Sequence, residues 1–348
     1  MRSLKLTVLF VFRAFGLFML ARWLTRRSLK IICFHGFELD DECEFRPKLF
    51  ISPQTFDRRL RAIRGRNLQV LPLDEAVRLN YSGGLPDHAL VITIDDGFQS
   101  VHEVALPKLR AYGYAATVYV TTYYVEHQNP IFRLVVQYMF WRSTRIVADL
   151  SGVAWSDQAE VNLSQAGERE KATWDCIHYG ETQCSESQRV SLCEELARRL
   201  GVAFDSILAS RKLHLMNVEQ LRSLTDAGLN VQLHTHRHRF PSDDVQVARK
   251  EISDNRRALG EMVGGELKHF CYPSGLWDEK QWAWLDSMGV ASSTTCLPGL
   301  NSATTPRHAM RRFLDGENIH QLEFDSAICG LPDLLRSLSS RLRGASSR

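Results

Sequence analysis

The stretch Leu90-Val-Ile-Thr-Ile-Asp95-Asp96-Gly97 decides the fold class. Apolar and β-branched residues fill it without a break, two aspartates follow, and a glycine stops it. That is the pattern of a buried strand with a turn after it. Side chains alternate along a strand, so Asp95 and Asp96 leave it in different directions. One can hold a metal while the other faces a substrate or a water. The C-terminal ends of parallel strands are where α/β proteins place such groups. Asp-Asp-Gly is also a common way to end a strand, and a second cluster gives it weight.

That cluster is Gly228-Leu-Asn-Val-Gln-Leu-His234-Thr-His236-Arg-His238. Again an apolar, strand-like run ends in titratable residues. Three histidines at alternate positions form a candidate metal site. If the strand ends at His234 and the chain turns, His234 and His238 converge on one ion, and a carboxylate completes a mixed N/O set. A third segment, Phe270-Cys-Tyr-Pro-Ser-Gly275, has the composition of a tight turn. Such a turn can aim a backbone N–H at a developing oxyanion, which makes Tyr272 and Pro273 candidates for that role.

In this order the three pieces resemble the polysaccharide deacetylase family, the NodB-homology carbohydrate esterases. The family's TFDDG motif is matched by Thr93-Ile94-Asp95-Asp96-Gly97, its H-[ST]-x-x-H motif by His234-Thr235-His236-Arg237-His238, and its P-x-G turn by Pro273-Ser274-Gly275. Ala105–Leu109, Tyr112–Val120, Ile31–Gly36 and Ile51–Phe56 fit as well, so the resemblance covers roughly residues 30–315. It implies an α/β fold, an irregular (β/α) barrel of the NodB-homology type. It also implies one divalent ion, zinc before others, on Asp96, His234 and His238. Asp95 would be the base in removing acetyl groups from N-acetylated sugars of a polysaccharide or a lipid-linked glycan.

Two departures matter. Where the family often carries an arginine, two residues before the proline, this chain has Cys271. Arg311 or Arg312 is the candidate replacement for orienting Asp95. The family's late Leu-x-His motif, which usually supplies the catalytic acid, has no clear match, and His308 and His320 are the only late histidines. The poly-N-acetylglucosamine deacetylase-like branch also lacks both features and carries a histidine near the N-terminus. Phe34-His35-Gly-Phe is similar and follows an apolar run, so His35 is the candidate acid. The alternatives are a catalytically inactive sugar-binding or scaffold protein on the same fold, and a metal hydrolase of another amide.

At 348 residues the chain has room for one large domain or two smaller ones. The expected organisation is a basic, apolar N-terminal membrane-association segment (1–28), a deacetylase barrel (29–330) and a basic C-terminal tail (331–348). A helical insertion interrupts the barrel at about 126–212. In it Phe132–Trp141 reads as a helix, and Ser185 caps another that turns Val190, Leu192, Leu196 and Leu200 inward. Trp141, Trp155 and Trp174 are expected there as core residues. Asn217 caps a helix leading into the histidine strand.

A formal charge of +3 is too small to argue for nucleic acid. It comes from two basic ends, since neither Arg2–Lys30 nor Arg336–Arg348 contains an acid. Such ends suit an anionic membrane surface. Eight cysteines show no Cys-x-x-Cys pair, weak support for a reducing compartment. Residues 4–24 are rich in Leu, Phe and Val but interrupted by Arg13 and Arg22, and the longest clean run, Ala14–Ala21, is too short for a hydrocarbon layer of ~30 Å. The expectation is an interfacial helix with its apolar side buried and its cations at the headgroups. If the segment spans instead, Arg22, Arg26, Arg27 and Lys30 outweigh Arg2 and Lys5 and keep the domain in the cytoplasm. The expected place is therefore the cytoplasmic face of the membrane, with a secreted or periplasmic location as the alternative.

Overall fold

The computed structural model describes residues 2–241 and 243–345. Eight strands form its main sheet: β1 (Lys30–Phe34), β2 (Gln69–Val70), β3 (Ala89–Ile94), β4 (Thr117–Val120), β5 (Asn230–Leu233), β6 (His269–Cys271), β7 (Ser292–Thr294) and β8 (Phe313–Leu314). Their order is β7-β6-β5-β4-β3-β1-β8, with β2 beside the first half of β3. All pairings in this sheet are parallel. Met310 also bridges Thr294 in parallel, while Phe313 and Leu314 pair with Ile32 and Cys33. The segment 310–314 thus touches both ends of the sheet and curls it into a barrel. The expected irregular (β/α) barrel is borne out. Short strands and a closing segment of only two paired residues are what make it irregular.

Burial follows the parallel topology. Every residue of β1 and β3 is buried, as expected where helices cover the outside and side chains fill the inside. One set of alternate residues packs together: Ile31, Val91, Tyr119, Cys271 and Met310. On the outer side Phe56 meets Phe34 and Phe37 edge-on, with ring centroids 5.0 and 4.7 Å apart.

Common strand direction puts all C-terminal ends on one rim. Register aligns Phe34 with Ile94, and Val120 with Leu233, which in turn pairs with Phe270. His35, Asp95, Asp96, His234 and Cys271 therefore emerge side by side, though they lie up to 236 residues apart in the chain.

The chain divides into two compact units, residues 1–126 with 216–348, and residues 127–215. The second is built of helices Phe132–Arg142, Ala166–Gln183, Glu186–Leu200 and Phe204–Ser210, with an antiparallel pair Val147–Asp149 and Glu160–Asn162. Ser185 caps its helix and exchanges hydrogen bonds with Gln188. Cys193, Leu196, Ala197 and Leu200 are buried, so Cys193 takes the inner position expected for Leu192. Trp155 is buried, but Trp174 is exposed with Arg133 over its ring. In the first unit Asn217 caps the helix Val218–Asp226 with the same reciprocal bonds to Gln220. The basic C-terminal stretch is helical over Leu331–Ala345.

Candidate active site

Asp95 and Asp96 part as strand alternation requires. Asp95 follows the interior set of β3 and is buried. Asp96 bends away with φ 69°, in the left-handed region, and Gly97 follows at φ 88°. A Cβ on Gly97 would stand 3.1 Å from Val120 Cγ1, a tight contact, and the positive φ itself favours glycine there. Thr235, His238 and Ser274 are left-handed too, at φ 63°, 55° and 58°. Non-glycine residues in this region are uncommon, and such strain gathers at functional sites.

Asp96 Oδ1 lies 3.2 Å from His234 Nε2 and 3.4 Å from His238 Nε2. The three ligand atoms lie within 4.8 Å of one another. His234 is buried, and its Nδ1 is 2.8 Å from the Cys271 carbonyl oxygen. A carbonyl only accepts, so Nδ1 carries a proton and Nε2 is the nitrogen offered for ligation. Two nitrogens and a carboxylate oxygen held this way fit a divalent ion, zinc included. His236 turns away: its Nδ1 is 2.8 Å from Thr122 Oγ1 and its Nε2 is 4.0 Å from Glu126.

Asp95 is held from inside the barrel. Arg312 donates to both of its oxygens at 2.7 Å, to the Thr295 carbonyl at 3.0 Å and to Cys271 Sγ at 3.1 Å. Of the two candidate arginines it is Arg312 that reaches Asp95. Arg311 is exposed and bonds Asn301 through its backbone. The thiol of Cys271 donates to Asp95 Oδ2 at 3.3 Å. Burial would raise the Asp95 carboxyl, but the charge and hydrogen bonds of Arg312, with smaller help from His35 and His234, hold it well below the usual carboxylate range.

His35 stands just past β1, with Nε2 3.8 Å from Asp95 Oδ2. Its Nδ1 is buried without a hydrogen-bond partner. The late histidines are used elsewhere. His308 is clamped between Ser293 Oγ (2.9 Å) and Asp286 (2.8 Å), and His320 caps the helix Gln321–Ile328.

The expected oxyanion donor needs correction. The Tyr272 N–H donates to the Thr294 carbonyl at 3.2 Å, continuing the β6–β7 ladder, and the Tyr272 hydroxyl donates to the His308 carbonyl. Tyr272 and Pro273 are both buried and shape the turn; the Tyr272 N–H is not free to meet a substrate.

Several supporting residues escaped the sequence reading. Asn255 Oδ1 accepts the His234 N–H, while its amide group donates to the Val120 carbonyl and to Thr122 Oγ1. Glu251 accepts from the Arg237 N–H, and its carbonyl takes the His236 N–H. Both lie one turn apart on the buried face of the helix Val245–Val263. That pair of polar residues at i, i+4 among apolar ones was the available signal.

The profile of the polysaccharide deacetylase family matches residues 206–293. No curated protein sequence matches the chain. Among solved structures, the Streptococcus pyogenes deacetylase PplD in complex with acetate is similar at a TM-score of 0.56 and 17% identity, over 86% of this chain and 98% of that one. IcaB from Ammonifex degensii gives 0.53 and 16%, over 87% and 96%. A de-N-acetylase from Aggregatibacter actinomycetemcomitans gives 0.53 and 12%, over 85% and 98%. At these identities the structures establish a shared fold. Together with the family profile, they bear out the resemblance to the polysaccharide deacetylases that the motifs carried.

Proposed function

We propose that this chain is a metal-dependent deacetylase of N-acetylated glycans. The observation that carries the reading is the meeting of Asp96, His234 and His238 beside the Asp95–Arg312 pair, with His35 also facing Asp95. Asp96, His234 and His238 would hold one divalent ion, zinc first. Such an ion, when bound, supplies Lewis-acid activation of a water and of a carbonyl. Asp95 takes a proton from the water that adds to the acetyl carbon, and Arg312 keeps the carboxylate ionised and aimed. His35 gives a proton to the departing nitrogen. Water and amide thus become acetate and a free amine.

One observation favours a second division of labour. A carboxylate gripped at both oxygens by Arg312 is a weak base. On this reading His35 takes the water's proton and passes it to the nitrogen, with Asp95 orienting it.

Acetate release from purified protein on N-acetylated oligosaccharides tests the proposal. Activity should vanish on chelation and return with zinc. A protein that binds zinc but releases no acetate from any N-acetylated glycan would be the inactive binding protein instead.

A further inference from the structure

The N-terminal helices carry two apolar faces each, and only one is covered. Helix Arg2–Ala14 and helix Leu17–Leu24 meet at Gly16 with a bend of 78°. Leu9, Phe18 and Ala21 turn inward against Leu322, Cys329 and Leu331. Polar ties reinforce the docking: Thr25 Oγ1 donates to the Cys329 carbonyl, Lys5 reaches Glu323 at 2.6 Å and Arg13 reaches Asp325 at 3.4 Å. The pair is therefore part of the folded unit.

The outer face is also apolar. Leu4, Val8 and Val11 recur at helical spacing on the first helix, Phe15 follows at the break, and Met19 and Trp23 lie one turn apart on the second, all of them exposed. Phe15 is 79% exposed and Met19 78%. A helix on a water-facing surface shows polar residues there, and an apolar ridge of this length marks an interaction site. No single helix among the described residues is long and apolar enough to cross a membrane. Phe15 stands at the break between the two helices and Met19 in the first turn of the second.

Charge selects the occupant. No acid precedes Glu38, and Trp23 is followed by Arg26 and Arg27, two cations that share one acid, Asp87, at 3.3 and 3.8 Å. Arg26 stacks over the Trp23 ring at 4.9 Å, an aromatic–cation pair of the kind that sits at headgroup depth. The helix Leu331–Ala345, which packs its Leu331 on the same pair, begins a stretch whose residues 336–348 include four arginines and no acid. We infer that the helix pair is a fixed, in-plane anchor that inserts its Phe15–Met19 corner into an anionic bilayer. Apolar insertion and cation–headgroup attraction then act together. Thr25 and Arg26 adjoin the start of β1, and the Arg26 carbonyl accepts from His88 just before β3. The anchor thus lies at the opposite strand ends from the histidines, and the inference is independent of the deacetylase reading.

Flotation of the full chain with vesicles tests it. The protein should float with an equimolar mixture of phosphatidylcholine and phosphatidylglycerol and much less with phosphatidylcholine alone. The double change Phe15→Glu, Met19→Glu should lower the partition coefficient at least ~10-fold, since it withdraws two large apolar side chains from lipid. Circular dichroism and the activity on a soluble substrate should stay those of the parent. Arg26→Glu with Arg27→Glu, which leaves Phe15 and Met19 in place, should abolish the preference for anionic vesicles. A parent that does not bind anionic vesicles overturns the inference. So does a Phe15→Glu, Met19→Glu variant that floats like the parent, or a ridge that instead holds two copies together in gel filtration.

Discussion

Asp95→Asn is expected to lower kcat on an N-acetylated glycan by about 100- to 10,000-fold while the metal stays bound, because the amide cannot take a proton. The change also touches stability. It removes the charge that Arg312 faces, and Arg312 is fully buried. Breaking one side of a buried pair costs about 3–5 kcal/mol, since the remaining charge is left uncompensated. Arg312→Leu should cost a similar amount for the mirror-image reason. The double variant should be less unstable than the sum of the two, and denaturant unfolding of all three proteins measures this. The pH behaviour follows from the sign of the shift. The folded carboxyl titrates below its ordinary value, so its stabilising contribution is complete above about pH 4 and is lost only as pH falls toward the depressed value. Arg312→Leu removes the main opposition to burial, so the carboxyl should titrate above its ordinary value and the sign should reverse, with stability falling as pH rises through the carboxylate range. An Asp95→Asn protein with parental turnover would remove Asp95 from the mechanism.

His35→Ala is expected to keep the metal and lose kcat by a similar factor of about 100 to 10,000, since an amine departs poorly without a proton. A substrate with a better leaving group should regain part of the rate, because it needs less protonation. The two variants together separate the two divisions of labour. If Asp95 is the base, both losses are large on ordinary substrates, and only His35→Ala is relieved by the better leaving group. If His35 does both tasks, His35→Ala loses far more than Asp95→Asn and the relief is small. A fully active His35→Ala beside a dead His308→Ala would move the acid to the C-terminal part of the barrel. The clamp of His308 between Ser293 and Asp286 argues for the opposite result.

The barrel is legible in the sequence because two of its short, mostly apolar strands end in titratable residues. Leu90–Ile94 and Val231–Leu233 show this without any knowledge of their neighbours. The candidate ligand set is legible because His234 and His238 flank a turn. What separates Arg312 from Arg311 is parity. Met310 and Arg312 share the inner face of the closing segment and Arg311 does not, but β8 pairs at only two residues and offers no alternation to count. Tyr272 misleads for a related reason. A turn motif shows where the chain bends, not whether its N–H is already paired to the next strand, and Thr294 lies 22 residues further on. Cys271 stands at the position of the expected arginine and donates to Asp95 through its thiol, while Arg312 reaches the same carboxylate from just before β8.

Metal content measured on purified Asp96→Ala, His234→Ala, His238→Ala and His236→Ala proteins, each assayed in parallel for acetate release, tests the central claim most directly. Asp96→Ala, His234→Ala and His238→Ala should lose bound metal and activity together, while His236→Ala, whose ring faces Thr122, should retain both. Full metal occupancy in His238→Ala, or metal lost from His236→Ala with His238→Ala intact, would contradict the site described here.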